Sequence, residues 1–270
     1  MRLKNKIQMI VVVAVVSISI FFAVTKTHQK SKANLIIDKN IAISSVVIDS
    51  FPSVKPPFDI ASKSALAREL NGETIFYELN SRQRWPIASL TKLMTGVIAL
   101  EKNDATKEVS DLIKIMMLIS SNEAAEQLAT LYGRENFVAA MNAKAKELVM
   151  DQTSFFDANG LSFLNQSTVT DLYKLVNYIA SKRPQLLQWS REEELTINGL
   201  KYVNINKFVG RSDFLGGKTG YTDEANGNLI SIFVTPKKPV VIIVLGAADQ
   251  VERFEQTKKL LEWISQYYKL

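Results

Sequence analysis

The first residues that could do chemistry together are Ser89 and Lys92, in the motif Ser89-Leu90-Thr91-Lys92. Residues three apart on a helix share one face, with about 5–6 Å between their Cβ atoms. A serine hydroxyl is a weak nucleophile until a base takes its proton, and a lysine amine among apolar neighbours can be neutral enough to do so. The pair therefore predicts nucleophilic catalysis. The alternative is an N-cap serine beside a surface lysine.

A second motif, Ser120-Ser121-Asn122, lies between two helical patterns. A serine hydroxyl and a carboxamide that project from one interhelical turn could relay a proton and bind the amide of a substrate. The alternative is structural, because Ser120 with Glu123 fits a capping box that opens a helix at 122–132. Taken alone, the spacing favours the capping box.

A third motif, Lys218-Thr219-Gly220, directly follows Gly217. A phosphate-binding loop with Gly-Lys-Thr needs a second glycine where this chain has Ser212, so nucleotide binding is not predicted. A strand with these residues could instead direct an ammonium and a hydroxyl across a cleft towards an anionic substrate, with Gly220 allowing a close approach. The alternative is the glycine-rich end of a hairpin.

Composition restricts the kind of site that these motifs could form. The chain of 270 residues has one histidine, His28, and no cysteine. Nucleophilic sites based on histidine or cysteine are therefore excluded from the body of the chain, and so are most zinc sites. The base must be Lys, Asp, Glu or Tyr, and we expect no metal and no cofactor.

The formal net charge of +6 comes from the N-terminal region. Residues 1–34 contain six Lys and Arg and no acid, which leaves 27 basic against 27 acidic residues over 35–270. A body without excess positive charge does not neutralise phosphates, so we expect no nucleic-acid partner.

The N-terminal region predicts an attachment to the membrane. Between Lys6 and Lys26 lie 19 uncharged residues, enough for a helix to cross a bilayer core at about 1.5 Å per residue. No small-residue cleavage site follows, so an uncleaved anchor over 1–24 is favoured over a signal peptide. Residues 25–58 end in a proline-containing stretch and predict an extended linker, and 59–270 form the remaining domain.

Hydrophobic periodicity over 59–270 predicts an α+β domain. Strand-like stretches at 64–70 and 74–80 meet at Asn71-Gly72, a strong hairpin signal. Helical patterns run from Leu90 to Ile98 and over 110–119, 122–132, 134–148, 168–181 and 250–268. Strand patterns occur at 194–208, 212–218, 228–235 and 239–246. Strands at both ends and helices in the middle predict an antiparallel sheet flanked by helices, with a helical lobe.

The order of the three motifs resembles that of one superfamily. Ser-x-x-Lys at a helix start, Ser-x-Asn in a helical lobe and Lys-Thr-Gly on a late strand are typical of the penicillin-recognising serine acyl-transferases of the β-lactamase/transpeptidase-like superfamily. Over roughly 59–268, the chain most resembles the low-molecular-mass D-alanyl-D-alanine carboxypeptidases, which are penicillin-binding proteins. The matching stretches are IASLTKLMT, LISSNEAAEQLA, TSFFDANGL, STVTDL, GGKTGYTDEANGNL and VLGAADQVERFEQTKKLLEW.

The resemblance implies a serine-type carboxypeptidase that removes the terminal D-alanine from peptidoglycan stem peptides. It assigns the acylated nucleophile to Ser89 and the base that activates it to Lys92. Ser120 would pass a proton to the departing D-alanine, and Asn122 would bind the peptide backbone.

The same resemblance assigns the other substrate-binding residues. They are Asn122, Lys218, Thr219, Gly220, Tyr221 and Arg253. Thr219 and Arg253 would bind the terminal carboxylate, and Lys218 would support the serine of the second motif. The backbone N–H groups of the nucleophile and of Tyr221 would form an oxyanion hole, in which each donor contributes about 10²–10³ in rate.

The chain departs from the family pattern in three places. Ser89 and Ser120 are only 31 residues apart, about half the usual spacing, so extra strands beside the active site are expected to be missing. Asn159 replaces a common histidine before a Gly-Leu pair, and Asn226-Gly227 shifts a glycine by one position. The first departure leaves the cleft wall and the substrate selectivity open.

Three other functions stay open at this point. A D,D-endopeptidase acting on peptidoglycan cross-links would use the same machinery. A class A β-lactamase would need a glutamate to activate the deacylating water, and the corresponding region, 155–161, offers only Asp157. A non-catalytic sensor of β-lactams or peptidoglycan would not require the complete set of polar residues.

The implied partners are a stem peptide ending in D-Ala-D-Ala, β-lactams as covalent inhibitors, and the membrane through the N-terminal segment. Peptidoglycan lies outside the cytoplasmic membrane, so the implied location is the bacterial cell envelope on its extracytoplasmic side. Cleavage of the N-terminal segment would instead release a secreted protein.

Overall fold

The computed structural model describes residues 56–102 and 106–268. Its strands are β1 (Ser64–Glu69), β2 (Ile75–Leu79), β3 (Trp85–Pro86), β4 (Gln166–Ser167), β5 (Glu194–Ile197), β6 (Leu200–Val203), β7 (Phe214–Gly220), β8 (Gly227–Phe233) and β9 (Val240–Ala247). Its α-helices are α1 (Thr91–Lys102), α2 (Lys107–Ile119), α3 (Asn122–Leu131), α4 (Arg134–Glu147), α5 (Val169–Lys182), α6 (Gln185–Ser190) and α7 (Glu252–Tyr267). The predicted α+β class is confirmed.

Five strands form one antiparallel sheet in the order β2-β1-β9-β8-β7. Successive side chains of a strand point to opposite faces, so β9, at the centre, serves two cores. Val241 and Ile243 pack with the helical lobe, whereas Val240 and Ile242 pack with α7. β7 is an edge strand, so one side of the third motif is free to face another part of the molecule.

The helical lobe covers one face of the sheet and surrounds α1. Nine residues of α1, from Thr91 to Ala99, are buried, because neighbouring helices pack on most of its sides. The described residues between Ser89 and Ser120 form a helical turn, α1 and α2, with no strand among them, as the short spacing of the two serines predicts. The predicted sheet with flanking helices and a helical lobe is therefore confirmed.

The predicted elements agree with the structure within a few residues, with two exceptions. The 194–208 stretch is not one strand, because it folds into the hairpin β5–β6, in which Asn198 and Gly199 both have positive φ (51° and 79°). Two such residues make the tight turn that suits a hairpin. The short α6 and the β3–β4 pair were not predicted, since six and two residues carry little periodicity.

The predicted anchor over 1–24 and most of the predicted linker over 25–58 lie outside the described residues. In the part of the chain that the structure describes, no helix combines the length and the hydropathy that a membrane span requires. The N-terminal anchor therefore stays a prediction.

Candidate active site

A cleft of about 230 Å³ opens between the edge strand β7, the turn before α1 and the turn between α2 and α3. The structure brings all of the predicted site residues together at this cleft. Those that line it are Ser89, Ser120, Asn122, Thr219, Gly220, Tyr221 and Arg253. Lys92 and Lys218 are buried beneath it, and each contacts one of the lining serines.

Ser89 lies in a helical turn, Ala88–Leu90, directly before α1. Ala88 has φ of 46°, in the left-handed region that residues with a side chain seldom adopt, which marks a constrained backbone. Two glycines pack against this turn. A Cβ on Gly160 would lie 2.2 Å from the carbonyl oxygen of Ala88, and a Cβ on Gly220 would lie 3.2 Å from the nitrogen of Ser89. Their lack of a side chain therefore permits the close approach on both sides.

The side chain of Lys92 is fully buried and points at three oxygens. Nζ lies 2.9 Å from Oγ of Ser89 and 2.8 Å from Oδ1 of Asn122, and it also donates to the carbonyl oxygen of Asn159. Only the serine hydroxyl can itself donate a proton. When the amine is neutral, its two N–H groups satisfy the carbonyl oxygens, and its lone pair is left for the hydroxyl hydrogen of Ser89.

The environment also makes that neutral form accessible. Burial lowers the pKa of Lys92 to about 8, against the opposing effect of the carboxylates of Asp157 and Glu123. A lysine with this pKa has a substantial neutral fraction just above neutral pH. Geometry and electrostatics together allow Lys92 to accept the proton of Ser89.

Ser120 and Ser121 have different roles in the turn between α2 and α3. Ser120 ends α2 in a left-handed conformation, with φ of 59°, and lines the cleft. The cap of α3 is Ser121, whose Oγ accepts a hydrogen bond from the N–H of Ala124 at 3.0 Å. The capping-box alternative for Ser120 is therefore wrong by one residue. Asn122 begins α3 beside the cleft, with its Oδ1 on Lys92.

Lys218 joins the third motif to the second. It lies in β7 and is 2% exposed. Nζ donates to Oγ of Ser120 at 2.9 Å and to the carbonyl oxygen of Thr219 at 2.8 Å. Burial holds the pKa of Lys218 well below its usual range, and the nearby cations Lys92 and Arg253 lower it further.

Arg253, in the first turn of α7, is 6% exposed and borders the cleft. Its Nη1 donates to the carbonyl oxygen of Gly220 at 2.8 Å, which ties the helix to the end of β7. Burial lowers the pKa of Arg253 to about 10, opposed by the carboxylate of Asp249, so the guanidinium stays charged at neutral pH. A charged guanidinium that lines the same cleft as Thr219 can hold an anionic group.

One functional contact has no residue-type signal in the sequence. The backbone carbonyl of Asn159 accepts from Lys92, although the side chain of Asn159 bonds elsewhere, to Glu126 and to the N–H of Leu161. Any residue could supply a carbonyl group. The nearest signal is the Asp-x-x-Gly pattern that surrounds Asn159, which is typical of a side-chain-stabilised turn.

Comparison with known proteins points to one family. A family model described as D-alanyl-D-alanine carboxypeptidase matches residues 51–109 and 99–249. The D-alanyl-D-alanine endopeptidase of Escherichia coli (strain K12) is 34% identical over 243 residues, which cover 76% of this chain and 78% of that protein. The D-alanyl-D-alanine carboxypeptidase DacD of Salmonella typhimurium is 29% identical over 254 residues, which cover 79% of this chain and 65% of that protein.

A solved structure extends the comparison to the fold. Penicillin-binding protein D2 of Listeria monocytogenes, in its cefotaxime-bound form, matches with a TM-score of 0.71 and 30% identity, over 77% of this chain and 99% of that chain. Fold and site define the class: a low-molecular-mass serine penicillin-binding protein with the transpeptidase-like fold.

The chain belongs to the D-alanyl-D-alanine carboxypeptidase family, peptidase family S11. The family predicted from the sequence is thus confirmed, and so is the prediction that the protein is a hydrolase. Relatives carry both carboxypeptidase and endopeptidase names, so membership alone does not decide between these two activities.

Proposed function

We propose that this protein is a serine-type D-alanyl-D-alanine carboxypeptidase that cleaves peptidoglycan stem peptides through an acyl-enzyme on Ser89. The observation that carries the proposal is the position of Nζ of Lys92, 2.9 Å from Oγ of Ser89, with carbonyl oxygens as its other two partners. Oγ forms a bond to the carbonyl carbon of the penultimate D-alanine, and the hydroxyl proton passes to Nζ of Lys92.

The second serine–lysine pair serves the leaving group. When the C–N bond breaks, the departing amine of the terminal D-alanine needs a proton. Ser120 lines the same cleft, and we assign to its hydroxyl the transfer of that proton from Lys92 to the amine, supported by Lys218 at 2.9 Å. Water then attacks the ester with Lys92 again as base, which releases the shortened peptide and restores Ser89.

The remaining cleft residues suit the other parts of such a substrate. With its Oδ1 on Lys92, Asn122 has amide hydrogens left to donate to a peptide carbonyl. Thr219 and Arg253 provide a hydroxyl and a charged guanidinium for the terminal carboxylate. The backbone N–H groups of the nucleophile and of Tyr221 would hold the developing oxyanion.

A β-lactam would acylate Ser89 by the same step, and we expect its adduct to be long-lived. Asp157 is the carboxylate of the loop that could activate a deacylating water, but its oxygens accept from the N–H groups of Gly160 and Ser162 and from Nδ2 of Asn165. Both oxygens of this carboxylate are already occupied by backbone and amide donors, which leaves it poorly placed to take a proton from water and disfavours a β-lactamase.

D,D-endopeptidase activity is a second candidate. It is favoured by the names of two relatives, from Escherichia coli at 34% identity and from Pseudomonas aeruginosa at 31%. Cleavage of a cross-link releases a larger amine than D-alanine, so the cleft must be open where the leaving group departs. Tyr221 and Gln250, which border the cleft together with Arg253, are exposed.

The substrate determines where the protein works. Peptidoglycan lies outside the cytoplasmic membrane, so the catalytic domain would act on the extracytoplasmic side of the bacterial cell envelope. The apolar segment within residues 1–24 would attach it to the membrane there.

Labelling with a fluorescent penicillin tests the acyl-enzyme. We expect covalent labelling of the folded protein, loss of the label in Ser89→Ala, and retention of the label in Ser121→Ala, which alters a serine outside the proposed chemistry. Correctly folded wild-type protein that takes up no label would contradict the proposal.

Peptide substrates separate the remaining functions. Release of free D-alanine from a pentapeptide ending in D-Ala-D-Ala supports the carboxypeptidase, and cleavage of cross-linked dimers alone supports the endopeptidase. Rapid turnover of the penicillin adduct would indicate a β-lactamase. A stable adduct without turnover of either peptide would indicate a sensor.

A further inference from the structure

The loop between α4 and β4 supplies the third partner of Lys92. Two successive carbonyl groups of this loop face α1. That of Ala158 accepts from the hydroxyl of Thr95 at 2.6 Å, and that of Asn159 accepts from Nζ of Lys92. Thr95 and Lys92 are three residues apart and share one face of the helix. The loop is therefore seated along the helix that carries the proposed base.

Asp157 fixes the orientation of the Asn159 carbonyl. Its Oδ1 accepts from the N–H of Gly160 at 2.6 Å, and its Oδ2 accepts from the N–H of Ser162 at 2.7 Å. The carbonyl of Asn159 and the N–H of Gly160 belong to one planar trans peptide, so they point in opposite directions. Because Asp157 holds the N–H on one side, the carbonyl oxygen is directed to the other side, where Lys92 lies.

Asn165 holds Asp157 and joins the loop to the turn of the nucleophile. It is fully buried, and its Nδ2 donates to Oδ1 of Asp157 at 2.6 Å while its Oδ1 accepts from the N–H of Phe156 at 2.6 Å. Its backbone carbonyl accepts from the N–H of Ile87 at 3.0 Å, two residues before Ser89. One hydrogen-bonded unit thus connects the loop, the nucleophile and the base.

We propose that Asp157 is a positioning residue for acylation, which aims the Asn159 carbonyl at Nζ of Lys92 so that the lone pair of the neutral amine faces Ser89. This inference rests on the proposed function, in which Lys92 is the base. Losing the carbonyl partner would leave the amine free to rotate away from the hydroxyl, and a misplaced catalytic group can reduce a rate about 10²-fold.

Asp157 also acts on Lys92 through its charge. Its carboxylate favours the ammonium form and so opposes the effect of burial on the pKa of Lys92. The other charged groups that face Lys92 are Glu123, at the exposed start of α3, and Lys218 on β7. Of the two carboxylates, Asp157 is the one whose side chain also fixes a contact of Lys92.

The test compares Asp157→Asn with Asp151→Asn, which neutralises an exposed acid of the same loop. Asparagine has the same size, but one acceptor oxygen becomes a donor that opposes a backbone N–H. We expect the plateau rate of acylation by fluorescent penicillin to fall about 10- to 100-fold. The midpoint of the pH dependence should move to lower pH, because an ammonium that loses an anion and an acceptor is less stable. Asp151→Asn should change neither quantity.

Two outcomes overturn the proposal: an unchanged acylation rate, and a lower rate with an unchanged midpoint, which would mean that Asp157 only stabilises the loop. If Asp157→Asn does not fold, Asn165→Ala removes the amide that holds Asp157 but keeps the carboxylate. Its criterion is therefore the acylation rate alone, and an unchanged rate overturns the proposal.

NMR titration of ¹³Cε-labelled lysine in the unacylated protein separates this inference from the proposed function. A lower pKa of Lys92 in Asp157→Asn than in the wild type shows that Asp157 acts on Lys92, as the proposal requires, and equal values overturn the positioning role, whether or not penicillin reacts. Wild-type protein that does not react with penicillin overturns the proposed function alone.

Discussion

The candidate active site contains two serine–lysine pairs that have the same Nζ–Oγ distance but different electrostatic surroundings. Nζ of the lysine lies 2.9 Å from Oγ of the serine both in Lys92–Ser89 and in Lys218–Ser120. Lys92 lies on a helix and faces two carboxylates, which raise its pKa against burial. Lys218 lies on a strand and faces two cations, which lower its pKa in addition to burial. The two pairs therefore share the Nζ–Oγ distance but differ in the charged groups around the lysine.

The difference shows that a short serine–lysine contact does not by itself define a base. General bases are most effective when their pKa lies near the working pH. The pKa of about 8 suits Lys92 for repeated exchange of a proton near neutral pH. Burial and two nearby cations disfavour the charged form of Lys218, and its Nζ contacts Ser120 and not the nucleophile. We therefore assign to Lys218 the support of Ser120, and to Lys92 the proton of the nucleophile.

The largest effect is expected from Lys92→Met. Methionine fills a similar volume without the amine, so Ser89 loses its proposed base, and acylation by penicillin should slow about 10³–10⁴-fold. The rate of covalent labelling measures this, with Lys146→Met on the exposed side of α4 as control. A Lys92→Met variant acylated at nearly the wild-type rate would show that another group is the base.

The same substitution in the second pair, Lys218→Met, should slow acylation less, by about 10²-fold. The amine of Lys218 is buried where its charged form is disfavoured, so replacing it with an apolar side chain should leave the thermal unfolding midpoint unchanged or higher. Labelling rate and thermal unfolding of the two lysine variants should be measured side by side. Equal losses of rate would remove the distinction that we draw from their surroundings.

The pH dependence of acylation sharpens the comparison further. The base must be neutral, and Lys92 is neutral above its pKa of about 8. The labelling rate should therefore level off above pH about 8 and fall about tenfold for each pH unit below it. Stopped-flow labelling from neutral to alkaline pH measures this dependence of the labelling rate on pH. A rate that stays level below pH 7 would mean that the titrating lysine is not the base.

The sequence predicts a contact of the site correctly where both side chains lie on one helical segment. Ser89 and Lys92 are linked by the start of α1, so their spacing alone predicts that they share a face. The contact between Lys218 and Ser120 spans 98 residues, and only the family resemblance of the motif order indicated it. Periodicity predicts the individual helices and strands but not which of them lie side by side in the fold.

The sequence does not predict the features of the site that depend on backbone conformation. The carbonyl of Asn159 and the left-handed conformations of Ala88 and Ser120 depend on tertiary contacts that no residue type encodes. In the second motif, the capping-box pattern favours Ser120 as the cap, because Glu123 stands three residues later. The backbone instead ends α2 at Ser120 and begins α3 after the cap Ser121.

The smallest effect is expected from Ser121→Ala, and its neighbour provides the matched comparison. Loss of the cap should lower the free energy of unfolding by about 1 kcal/mol and leave the labelling rate nearly unchanged. Ser120→Ala removes no cap, so stability should change little, but release of D-alanine should slow because the leaving amine loses its proton donor. Chemical denaturation and D-alanine release, measured on both variants, separate the two serines. If both variants lost stability alone, the second serine–lysine pair would be structural, and Lys92 alone would have to carry the proton to the leaving group.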